Sequence, residues 1–170
     1  MNRKGNCSFL SDPENHRLYL LLFFVVGALV RYFVGFRIPV ENSRFFFAVL
    51  SSASLLCTAV LSGSMLGVYL IPTEAFLLGA MSLPCAEKAL DAFSRSPILG
   101  LRAALPVMLS IPAFFLAAVG GMRISGDLIA AFSRSEHGTC GCRMRECAAL
   151  WCLCLISAGL IYTLTAFCRS

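Results

Sequence analysis

Apolar positions in this chain form long uninterrupted runs rather than alternating or sparse stripes. Leu18 to Phe36 is broken only by Arg31. Phe45 to Ala86 holds 42 residues with one charge, Glu74. Ala103 to Met122 and Cys147 to Cys168 carry none. A bilayer core about 30 Å thick takes about 20 helical residues to cross, so the 42-residue run suffices for two crossings. Continuous runs argue for helices and against a β-barrel, whose strands alternate.

The pattern predicts an all-α, polytopic membrane helical bundle of about five transmembrane helices, at about 18–36, 45–62, 66–86, 103–122 and 147–168. Residues 1–17 form a polar N-terminal tail before a single membrane domain, and the first span reads as a signal anchor. The small residues Ser62-Gly63-Ser64 place the break between spans two and three, which puts Pro72 and Glu74 near the middle of span three. A straight helix over 45–71, with Glu74 capping a short following segment at the membrane surface, is the other reading. Two amphipathic segments, 87–96 and 124–135, predict short interfacial helices. Both contain Ala-Phe-Ser-Arg-Ser (92–96 and 131–135), and Ile-Pro precedes each (71–72 and 111–112). This is either an inverted repeat or a coincidence of biased composition.

Composition supports the membrane reading. Hydrophobic residues make up 58% of 170 and charged residues 14%, where a soluble domain has about a quarter charged. The net charge of +5 is spread over every loop. Nucleic-acid binding needs a clustered basic surface, so the expected contacts are membrane lipids. Nine cysteines, several inside apolar runs, read as free thiols in a reducing or anaerobic setting.

Candidate chemistry is sparse. His137, Cys140, Cys142 and Cys147 lie within 11 residues, but their spacing is irregular for zinc and there is no second ligand pair, which favours unligated thiols. Glu74 is the one acid placed to lie within the membrane. It serves either as a polar site, with Arg31 as a possible partner, or as a helix-terminal carboxylate. Both histidines, His16 and His137, read as solvated. No nucleophile triad, phosphate loop or carboxylate pair appears, so the expectation is a non-enzyme without a cofactor. Small residues along spans two and four, with Pro106 and Pro112 in the latter, predict close packing inside the bundle.

Two segments carry a family resemblance. In Leu61–Gly79, Ser64 and Gly67 form a Ser-x-x-Gly turn, Leu70-Ile71-Pro72 leads into a helix, and Gly79 follows. In Ala104–Gly121, Leu105-Pro106 and Ile111-Pro112-Ala113 stand in an apolar helix. Together these resemble the stage II sporulation protein M family over about residues 60–125. Val107 and Leu78 occupy positions where that family often has a polar and a basic residue. The resemblance implies a multi-pass scaffold in the bacterial cytoplasmic membrane that anchors peptidoglycan hydrolases during engulfment in endospore formation. The residues alone also allow a small transporter or permease subunit that uses Glu74 in a broken-helix region.

Overall fold

The computed structural model describes residues 13–34, 43–134 and 140–167. These form an all-α bundle of five helices: α1 (Pro13–Val34), α2 (Ser43–Ser62), α3 (Gly67–Arg95), α4 (Pro97–Arg134) and α5 (Cys140–Phe167). Four of them, α1, α3, α4 and α5, are long and apolar enough to cross a membrane, and α2 contributes a shorter apolar stretch, Phe47–Ser62. The chain is a membrane protein by that measure. The first twelve residues of the expected tail lie outside the described residues, as do 35–42 and 135–139.

α2 and α3 are separated by the turn 63–66, where small residues let the chain reverse. The backbone N–H of Ser64 donates to the Leu61 carbonyl at 3.0 Å, and the Ser64 hydroxyl donates to the same oxygen at 2.9 Å. One residue separates α3 from α4. Ser96 is extended (φ −161°, ψ 132°), as expected before Pro97, since a proline disfavours helical geometry in the residue ahead of it. Pro97 then opens α4, where its missing N–H costs nothing.

The expected interfacial helices are not separate elements. Segment 87–95 is the uninterrupted end of α3, and 124–134 is the end of α4. Charges at Glu87, Lys88 and Asp91 change the solvent preference of a helix face but break no backbone hydrogen bond, and Ala, Leu, Glu and Lys all favour helix. Likewise Gly120-Gly121, near the end of the span expected over 103–122, lies inside α4. Neighbouring helices fill the space that the two glycines leave: Gly121 faces Ile71, Thr58 and Ser62, and Gly120 faces Leu150. At 1.5 Å per residue α4 is about 57 Å long, more than a whole bilayer with its head groups.

α3 and α4 form the centre. Buried Ile71, Ala75 and Leu78 of α3 meet Phe114, Ala117, Ala118 and Met122 of α4 in one core with Phe47, Leu55 and Ala59 of α2, Leu20 of α1, and Cys154, Ala158 and Ile161 of α5. α1 packs on α3 and α4, and α5 packs on α2 and α4. Beyond the belt, the α3–α4 hairpin has its own small core of Ala89, Ala92 and Ala103, with the Phe93 ring seated over Gly100.

The tightest joint is between α1 and α3. A Cβ built at Gly27 would overlap the Phe76 carbonyl oxygen, and one built at Gly79 would overlap that of Phe24. Each glycine thus faces the carbonyl three residues before the other glycine. That reciprocal offset is the geometry of two parallel helices in backbone contact, with Cα–H groups aimed at carbonyls.

Candidate polar site at the α2–α3 seam

Helix pairings fix the depth of each residue. Gly27 lies level with Gly79 on α3, and on α4 Gly121 faces Ile71 while Ser125 faces Gly67. Arg17 and Arg123 therefore fall near the level of Tyr69. Arg145 falls near the same level through the Gly120–Leu150 contact. All three arginines are exposed. Together they mark one edge of an apolar belt whose other edge lies near Glu87, about 27 Å away by helical rise. That width matches a hydrocarbon core.

Glu74 sits in the second turn of α3, about 8 Å inside the arginine edge. It is not at the middle of its helix, because α3 continues well past Ala86. Its side chain is half-buried. Oε2 accepts a hydrogen bond of 2.8 Å from the Thr58 hydroxyl of α2, which is fully buried. Arg31 is not brought to it. Counting from the Gly27–Gly79 level, Arg31 lies nine residues farther along the bundle axis, about 13 Å.

Thr58 belongs to a polar stripe on α2: Ser51, Ser54, Thr58 and Ser62 are all buried. Their spacing of three to four residues keeps them on one face. Two of them are satisfied within their own helix, Ser51 on the Ala48 carbonyl at 3.1 Å and Ser62 on the Ala59 carbonyl at 2.6 Å. Thr58 instead reaches across to Glu74, which makes that bond the seam's interhelical polar contact.

A residue absent from the sequence reading holds the break itself. Ser125 of α4 donates to the Ser64 carbonyl at 2.6 Å and accepts the Val68 N–H at 3.2 Å. Leu66, the residue before α3, offers no side-chain cap. α3 therefore receives its N-terminal cap from another helix, supplying a partner for one of the amides that a helix start leaves open. The hydroxyl is fully buried, and Gly67 gives it room by lacking a Cβ. No local signal marks Ser125, because its partners lie 57 and 61 residues away.

The remaining sequence-predicted residues separate into packing positions and unconnected ones. Ser64, Gly67 and Gly79 sit at the two joints just described. Pro72 and Pro106 are buried inside α3 and α4, whereas Pro112 is exposed. His137 lies outside the described residues. Cys140 and Cys142 fall in the first turn of α5, with Cys147 more than a turn beyond. Among the described residues no three potential ligands come together. His16, expected to be solvated, is 3% exposed near the start of α1; the helix begins at Pro13 and folds it into the bundle. Residues 92–95 and 131–134 of the repeated pentapeptide end α3 and α4, at opposite ends of an antiparallel pair.

The fold and seam thus define a helical membrane bundle with two specialised interhelical joints. No family model, curated protein or solved structure matches the chain.

Proposed function

We propose that this chain is a non-catalytic membrane scaffold whose α3–α4 pair carries partner-binding surfaces beyond the apolar belt. The observation behind this reading is the length of that pair. Past Glu87, α3 and the start of α4 extend about 13 Å as a hairpin, which exposes Leu90, Ile98, Leu99 and Leu101 beside Lys88, Asp91 and Arg95. An exposed apolar patch edged by charge is the kind of surface that partners cover. The resemblance to the stage II sporulation protein M family supports the finer version: a protein of the bacterial cytoplasmic membrane that anchors peptidoglycan hydrolases in engulfment.

The transporter reading draws less support. Transport needs free polar groups around the carboxylate, whereas Ser51 and Ser62 are bonded within α2. Glu74 also lies at the outer seam of two helices rather than among several. Deleting the gene in its host tests the scaffold. Arrested engulfment is the expected result, and normal spores from the deletion strain would overturn the reading.

A further inference from the structure

The seam beside Glu74 faces outward. On α3, Leu70 and Leu77 stand one turn to either side of Glu74 on the same face and are 40% and 52% exposed. On α2, Cys57 stands beside Thr58 and is exposed too. The result is an exposed apolar surface about two turns long, with one carboxylate at its centre. Among the described residues, Thr58 is the hydrogen-bond partner of that carboxylate, and no Lys, Arg or His lies within ion-pair distance. A carboxylate in a hydrocarbon setting is costly to keep unpaired, and acids in such places pair with bases.

We propose that this seam docks a transmembrane helix of another protein, and that Glu74 pairs with a Lys or Arg on that helix. Charge complementarity singles out this occupant. Apart from Glu74, Arg31 is the one charged residue within the belt segments of this chain. In a second copy sharing the same membrane orientation, Arg31 would lie about 13 Å from the depth of Glu74, beyond direct pairing. The cation therefore comes from a different chain. The apolar flanks offer a packing surface, and the ion pair fixes depth and rotation, since a one-residue shift on the partner turns its basic side chain about 100° away. The inference deepens the scaffold reading by naming the kind of partner, and it rests on that reading.

The test uses the full chain in phosphatidylcholine vesicles and three acceptor-labelled synthetic transmembrane peptides. Each is a Leu/Ala helix of about 21 residues, with Lys, Glu or Leu at one position about 8 Å inside one end. Energy transfer from a donor on the protein reads association. The Lys peptide is expected to associate about tenfold more tightly than the Leu peptide, and Glu74→Gln brings that ratio to about one. The glutamine oxygen can still accept the Thr58 hydrogen bond, so an unchanged thermal melt certifies the fold. Glu74→Lys should transfer the preference to the Glu peptide. Equal association of Lys and Leu peptides with the native protein would overturn the inference, as would a Lys preference that survives in Glu74→Gln. A preference abolished by replacing phosphatidylcholine with phosphatidylethanolamine would assign the seam to a lipid amine and overturn the helix. Failure of the scaffold itself would show separately, as a normal deletion strain with the peptide preference intact.

Discussion

α3 meets its two flanking helices in opposite ways. Against α1 its tightest contacts are those of two glycines, which bring backbone against backbone. Against α2 it has a hydroxyl–carboxylate bond, with Cys57, Leu70 and Leu77 left exposed around it. The first joint is closed by shape and tolerates no added atom. The second is held by one directional contact and leaves surface to spare. Helices in lipid gain little from burying apolar groups against each other, so they associate through close packing or polar contacts. This chain uses one device on each side of a single helix, and the open side is where a further helix fits.

Substitutions can break the contrast in graded steps. The largest effect belongs to Gly79→Leu, which drives a side chain into the Phe24 carbonyl; overpacking of this kind costs about 3 kcal/mol. Equilibrium unfolding in mixed micelles should show that loss, with Gly27→Leu giving a similar one. Next comes Ser125→Ala, which removes both bonds to the α2–α3 turn. At about 1 kcal/mol each, the expected loss is about 2 kcal/mol in the same assay. Thr58→Val keeps the shape of the seam and removes its hydroxyl, for an expected cost of about 0.6 kcal/mol, typical of interhelical hydrogen bonds in membranes. If Thr58→Val proved as damaging as Gly79→Leu, the distinction between a shape-closed and a polar joint would fail. The smallest change is Gly159→Ala. A Cβ there meets nothing within 4 Å, so stability should stay within about 0.5 kcal/mol. That variant separates the effect of losing a glycine from the effect of closing a contact.

The helical plan was legible because it depends on long-wavelength signals. Charge-free runs reveal spans, and Ser62-Gly63-Ser64 reveals the break between α2 and α3. The ends of α3 and α4 were misread, since charged residues at 87–95 and 124–134 mark a change of surroundings, not a change of backbone. The real stop was written at Ser96-Pro97, where the proline disfavours helical geometry in the residue before it. For the site, Glu74 and the small residues at Ser64, Gly67 and Gly79 stood out by type. Gly27 and Ser125 did not. A lone glycine in an apolar span or a serine near a helix end gains meaning only from a partner some fifty or more residues away, and a local pattern holds no such term.

One consequence follows from the unbroken course of α4. Because it is one helix from Pro97 to Arg134, its faces are locked in phase over about 57 Å. Inserting a single residue between Leu101 and Leu116 would turn everything downstream by about 100°. Gly121 would then swing off Ile71, and Ser125 would swing off the α2–α3 turn. An insertion of seven residues, close to two full turns, would restore the facing but displace both contacts by about 10 Å along the axis. The turn that Ser125 holds is thus set by the residue count of a helix whose far end lies on the other side of the belt.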